Sequence, residues 1–459
     1  MFDCLNSIKV PSGYSSNLKG IINMKEKKFT NLKAHDCHML MTQLLPVALR
    51  GVLSENVRLL VVKLCAFLNA ISQKAIDPAK LGKLQNDAVQ CLVGFELAFP
   101  PSFLDVMTHL LVHLVKEITI LGPVYLHNMW PFERFMSILK KYVLNRACPE
   151  GSIAKGYGTE EVIEFCVDFV DTIDSIGLPV SRHEGRLQGK GTIGRKSSLS
   201  NNTDLFHKAH LTVLQQSSLV TPYRMEHEQI IASQNPTKSP VWIARRHLET
   251  FPSWLSEQLI RNSTIHPQLA LLARGPCSTI TRFQAYDMNG YDFYMRAQDR
   301  KSTNQNSGVR MDVIGKDGGK TCYYGIIEEI WALEYGAMNV PLFFCQWVNL
   351  NGVKKDEYGM TIVDLTKIGF KDDPFVLAKD VHQVFYVKDM TSVPKNKNPQ
   401  GLQEAKRHIV LPGKRVIVGV EDKTDQSDDY DQFDGMPPFA VEVDPSILLG
   451  REETPYLRA

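Results

Sequence analysis

A change of hydrophobic period part-way along the chain limits its fold more than any single motif. From about residue 36 to 177 large apolar residues recur at three- and four-residue spacing, the period of a helix with one buried stripe. Met39, Leu40, Leu44 and Val47 begin the series, and Leu59, Leu60, Leu64, Phe67, Leu68 and Ile71 continue it. Leu84, Ala88, Leu92 and Phe95 follow, up to a stop at Pro100 and Pro101. Further helices are expected around Phe103, Met107, Leu110, Leu114 and Ile118, around Phe132, Phe135, Met136, Leu139 and Val143, and around Phe165, Phe169, Val170 and Ile173. After about residue 310 short aromatic and β-branched runs take over, at 323–327, 341–348, 361–363, 375–377, 383–387 and 415–420. Polar turns at 349–352 and 371–374 separate them. The two periods call for separate cores. The expected fold class is therefore α+β and multidomain, an N-terminal all-α bundle followed by a small C-terminal antiparallel β-barrel.

Composition divides the chain further. Residues 1–177 read as the helical domain. In 178–205 Gly, Ser, Thr and Asn dominate, and Arg182, Arg186, Lys190, Arg195 and Lys196 sit among Gly185, Gly189, Gly191 and Gly194, opposed by Glu184. Such a segment is either a solvated basic linker or a loop that follows a phosphate backbone. Its Gly-x-Gly-x-x-Gly at 189–194 is no dinucleotide site, because no apolar strand precedes it. Residues 206–285 read as a helical connector, with Leu211, Val213, Leu214, Ile243, Leu248, Phe251, Trp254, Leu255 and Leu259 as its apolar set. Residues 286–420 form the β-rich domain. Residues 421–459 are expected to be an acidic tail, with Asp425, Asp428, Asp429, Asp431 and Asp434.

At 44% hydrophobic residues the chain can fill real cores, yet no run approaches the ~18 uninterrupted apolar residues of a membrane span. Asp3, Asn6 and Lys9 stand where a signal peptide needs an apolar stretch. Nine cysteines without a CxxC pair read as buried or free thiols of a reducing compartment. The net charge of +2 means that any contact with DNA must come from local basic patches.

Few residues carry the spacing of a reactive site. Glu133 falls in the first turn of the helix that Pro131 opens, where a carboxylate complements the positive end of the helix dipole or lies at the lip of a core as a catalytic acid. His109 and His113 lie four apart with Glu117 one turn on, the spacing by which two imidazoles converge on zinc. Leu110, Leu111 and Val112 lie between them in place of the Glu of an HExxH motif, so a core histidine is the plainer reading. Cys37 and His38 are the nearest type of residue to complete such a set. Glu226, His227 and Glu228 are adjacent and do not share a helical face. Trp331, Trp347, Tyr358 and Phe385 fit an aromatic cage, or more simply a core.

Several longer runs carry a resemblance. They include Trp130-Pro131-Phe132-Glu133-Arg134-Phe135 on to Asn145-Arg146-Ala147-Cys148-Pro149-Glu150-Gly151-Ser152-Ile153-Ala154, and upstream Leu32-Lys33-Ala34-His35-Asp36-Cys37-His38-Met39-Leu40. Others are Lys9-Val10-Pro11-Ser12-Gly13-Tyr14-Ser15-Ser16-Asn17, Ser181-Arg182-His183-Glu184-Gly185-Arg186-Leu187, the stretch from Tyr291 to Val309, Val363-Asp364-Leu365 and Tyr386-Val387-Lys388-Asp389. Over nearly its whole length the chain resembles the C-terminal part of CACTA-class (En/Spm-like) transposases, cut-and-paste enzymes of plant genomes. The resemblance implies that residues 1–177 correspond to a helical insertion and the last helix of an RNase H-like fold, with Glu133 in the place of the third catalytic acid.

In that family two catalytic Asp residues, the second in Asp-x-x-His, precede the Val-Pro-Ser-Gly-Tyr segment, and no residue of this chain fills either place. Asp36 belongs to the downstream motif. Two of three acids being absent, the expected protein is catalytically incomplete and needs no cofactor; Mg or Mn would enter only with a full set of acids. The expected partners are DNA and a full-length transposase or a second copy, with no membrane, in the nucleus. A metal-dependent nuclease or hydrolase using Glu133 or the His109 and His113 pair, and a decayed reading frame without selected function, are the alternatives.

Overall fold

The computed structural model describes residues 1–14, 18–73, 75–127, 129–169, 190–192, 195–198, 203–260, 266–315, 318–356, 359–390 and 406–413. They fall into two compact units, a helical one within residues 37–185 and a second one built from residues 1–36 together with 186–416. Among the described residues no helix is long and apolar enough to cross a membrane.

The helical unit is organised by three helices, Glu55–Ile71, Leu81–Ala98 and Val106–Leu121. Val57 and Leu60 pack on Cys91, Phe95 and Ala98 at one level, and Phe67 and Ile71 on Ala88, Val115 and Ile118 at the next. The first two helices approach closely at Gly94, where a Cβ would run into the Leu60 side chain. Phe99 leaves the second helix in extended backbone ahead of the two prolines, as the residue before Pro must. Asp105 and Thr108 form a capping box at the start of the third. The helices Trp130–Lys141 and Pro149–Phe169 follow. They leave Phe132, Phe135, Met136, Ile138, Val162, Phe165 and Phe169 exposed, as the third helix leaves Val106, Met107, Leu110, Ile120 and Leu121, so much of the apolar surface of this unit faces outward.

The second unit is built on an eleven-stranded antiparallel sheet that curls into an open half-barrel. Its axis is the hairpin of Lys320–Tyr335 and Met338–Val348, joined through Gly336, whose φ of +68° suits the first central position of a tight hairpin turn. A bulge sets Ile327 opposite Cys345 and Glu329 opposite Phe344, leaving Glu328 as the extra residue. Gly308–Ile314 pairs with the first half of the long strand, and Thr279–Phe283 with its second half. Val381–Lys388, Arg407–Pro412, Thr361–Asp364 and Val353–Lys355 continue the sheet to one edge.

Both faces of the long hairpin are buried, which is why its sequence runs apolar almost without alternation. Trp331, Leu333, Tyr335 and Leu342 face the helices Thr203–Gln215, Pro240–Ile260 and Pro267–Arg274, through Ala209, Val213, Phe251, Leu255, Leu259 and Leu272. On the other face Ile327, Ile330, Phe343 and Val376 meet Tyr286, Met288, Tyr291 and Phe293 of a three-stranded sheet, Lys190–Thr192, Ala285–Met288 and Tyr291–Tyr294.

The structure corrects several expectations. The expected small antiparallel β-barrel is a curled antiparallel half-barrel sheet, and it includes strands from outside 310–420. Residues 206–285 are no free connector, since their helices bury the apolar face of that sheet. The boundary at 285/286 falls inside the strand Ala285–Met288. The basic segment is no simple linker, because Lys190–Thr192 pairs with Ala285–Met288, and Arg195–Ser198 with Thr279–Phe283. Residues 1–36 belong with the sheet and not with the helical bundle. The expected strand at 415–420 and acidic tail at 421–459 lie outside the described residues.

Candidate functional site

The residues singled out in the sequence go to different places. Glu133 sits exposed in the first turn of Trp130–Lys141. His109 and His113 do meet, their Nε2 atoms 3.1 Å apart on an exposed helical face. Glu117 does not join them: among the described residues no three His, Cys, Asp or Glu side chains stand together as a metal site. The aromatic cage does not form. Trp331 and Trp347 lie in cores on opposite faces of the sheet, Phe385 packs edge-on against Tyr14, and Tyr358 lies outside the described residues.

Of the five basic positions, Arg182 and Arg186 lie outside the described residues. Lys190 is in register with Asp287, Arg195 with Arg282 and Lys196 with Thr281. Arg282 stands over the Trp331 ring at 5.4 Å and pairs with Glu329 at 3.5 Å, while Trp331 Nε1 donates to Glu329 Oε2 at 2.8 Å.

Sequence reasoning misses several polar groups that the fold buries. Along the chain His227 is one of three adjacent polar residues, yet it is 4% exposed and its Nδ1 lies 2.9 Å from Nδ1 of His247. Phe251 and Trp254 enclose the pair. One ring must donate and the other accept, so the pair holds only while one of these nitrogens is unprotonated. Burial pushes His247 down to about 4, with His227 adding to it, and burial also lowers His227. His210 Nδ1 lies 2.9 Å from the Tyr335 hydroxyl, and burial brings His210 to about 4. Pairs from separate helices and strands leave no mark in local spacing. The thiols are equally quiet: all nine cysteines are free, and burial raises Cys4 to about 11 and Cys65 and Cys91 to about 12. These thiols are poor nucleophiles.

Next to the long hairpin lies a cavity of about 590 Å³, with an apolar floor of Val213, Leu219, Leu272, Val340 and Leu377 and with His266, Asn339 and Lys379 among its polar lining. It holds no acid and no acid–base pair.

Two of the quoted motifs, nearly 300 residues apart, come together. Ser12 N–H donates to Asn306 Oδ1 at 2.9 Å, and Asn306 Nδ2 donates back to Ser12 Oγ at 2.9 Å. Asn306 is fully buried, and Asp299 fixes its backbone by accepting the N–H groups of Asn306 at 3.0 Å and Ser307 at 2.9 Å. Burial pushes the Asp299 carboxyl up, and those two donors oppose the shift.

The chain matches two family models. Residues 71–183 match a domain of unknown function (DUF4218) and residues 331–397 a second domain of unknown function (DUF4216). Both are domains found in plant transposase-like proteins. No curated protein and no solved structure matches the chain.

Proposed function

We propose that this is a transposon-derived protein, corresponding to the C-terminal part of a CACTA-class transposase, that binds DNA or a transposase partner and does not itself cut. The observation that carries this reading is the pair of matched domains, both found in plant transposase-like proteins and occurring in one chain. In this reading the helical unit corresponds to the insertion and closing helix of an RNase H-like domain. Glu133 takes the place of the third acid of a set that would hold Mg or Mn. Its place of action is the nucleus. The binding surface is the basic segment with Arg182, Arg186, Lys190, Arg195 and Lys196, extended by Arg282, which stands opposite Arg195.

Lysine and arginine that neutralise phosphates release counterions, so the affinity must fall steeply with salt. Neutralising Arg182, Arg186 and Lys190 together is expected to weaken binding to duplex DNA. It should also make the plot of log affinity against log salt shallower by up to about 2.7, or about 0.9 for each phosphate that no longer has its cation. Glu133→Gln is expected to leave binding unchanged. Binding that ignores the triple substitution would overturn the basic-segment reading. Metal-dependent cleavage abolished by Glu133→Gln or His109→Ala would overturn the non-catalytic one.

A further inference from the structure

Residues 9–14 are held on the sheet unit as a peptide is held in a receptor. Lys9 Nζ donates to the carbonyl oxygens of Asp299 and Ser302, both at 2.7 Å, at the C-terminal end of the short helix Arg296–Lys301, where carbonyls lack helical partners. The Val10 carbonyl accepts the Gln305 N–H at 3.1 Å. Pro11 starts a turn closed by Tyr14 N–H to the Pro11 carbonyl at 3.2 Å, and Gly13, at φ +73°, supplies the left-handed residue this turn requires. Ser12 is gripped by Asn306, and its Oγ also accepts from Asn304 Nδ2 at 3.2 Å. Tyr14, fully buried, packs edge-on against Phe385 with ring centroids 4.9 Å apart.

The receptor side is also braced by bonds of its own. From the short helix Arg296–Lys301, Asp299 fixes the backbone of Asn306 and Ser307. Gln305 mimics a strand neighbour, its side chain accepting the Tyr386 N–H and donating to the Tyr386 carbonyl. The recognition therefore combines main-chain bonds with pockets for particular side chains, as in peptide-binding domains.

We infer that the unit formed by residues 186–416 carries a sequence-specific peptide site, made by Asp299, Asn304, Gln305, Asn306 and Phe385. Its ligand is the segment Lys-Val-Pro-Ser-Gly-Tyr of the chain's own N-terminal part. This goes beyond the proposed function and does not depend on it.

The test uses the full chain with a protease site inserted after Asn17. After cutting, the small N-terminal fragment is expected to co-elute with the remainder on gel filtration. A fluorescent synthetic copy of residues 2–17 is expected to exchange into the cut protein saturably. Copies with Lys9→Ala, Ser12→Ala or Gly13→Val should bind at least about tenfold more weakly, and these variants leave the receptor itself untouched. Release of the fragment with no saturable uptake of the labelled copy would overturn the proposal. Unfolding of the sheet unit on cutting would also overturn it, by showing the segment to be part of the core. So would equal uptake of parent and variant copies, which marks a nonspecific apolar cover.

Discussion

Asn306 shows how much one buried amide can carry. It holds Ser12 at two atoms, is itself held by Asp299, and has no access to water. Asn306→Leu takes the acceptor from the half-buried Ser12 N–H and leaves Ser12 Oγ with Asn304 alone, and it is expected to lower the unfolding free energy by about 1–3 kcal/mol, the cost of stranding one polar group, read from the urea midpoint. The histidines make a second prediction. His210 titrates near 4 when folded, below its usual 6.5. A group whose folded value is depressed binds more protons when unfolded, so its contribution to stability is whole above about pH 6.5 and drains away as the pH falls toward 4. About 3 kcal/mol is expected to be lost over that window, and His210→Phe should flatten the decline in a pH series of urea melts. None of these pairings is legible in sequence, because His210 meets Tyr335 across 125 residues and Ser12 meets Asn306 across 294. The side chains are visible there; their partners are not.

At the scale of the element, the helices are legible where one face is apolar and the ends are marked. Leu81–Ala98 stops at the predicted prolines, and Asp105 opens the next helix as a cap. Gly94 is silent in the sequence, since the need for a small residue arises only from the approach of Leu60. Gly94→Val is expected to cost about 1–3 kcal/mol by overpacking, measured by thermal or urea unfolding. Apolar periodicity says which face is hydrophobic and not what covers it: the Trp130–Lys141 helix leaves Phe132, Phe135 and Met136 exposed. An exposed apolar stripe of this kind favours association. Phe132→Ser with Phe135→Ser is expected to reduce concentration-dependent self-association in sedimentation velocity without loss of helical circular dichroism. Among the strands, the long hairpin is legible from its apolar run. Arg195–Ser198 and Lys190–Thr192 are not, because glycine and charge dominate them and their strand character comes from the neighbours they pair with.

For the whole molecule, the order of the chain misleads. Residues 37–185 interrupt a unit that begins in residues 1–36 and resumes at 186, so a division read along the sequence assigns the first segment to the wrong partner. The helices of 203–274 likewise look like a connector until their apolar faces are found on the sheet. The match to DUF4216 at 331–397 therefore covers only the middle of a larger folded unit, to which the basic strands and the N-terminal segment also belong. The proposed binding function depends on those basic strands acting as part of the sheet's surface and not as a loose tether. Hydrogen–deuterium exchange of the full chain with and without duplex DNA at low salt tests this most directly. Added protection is expected in Lys190–Thr192, Arg195–Ser198 and Thr279–Phe283, and it should vanish again at high salt. Protection confined to the helical unit, or none anywhere, would contradict the reading of the basic strands as a DNA-binding surface.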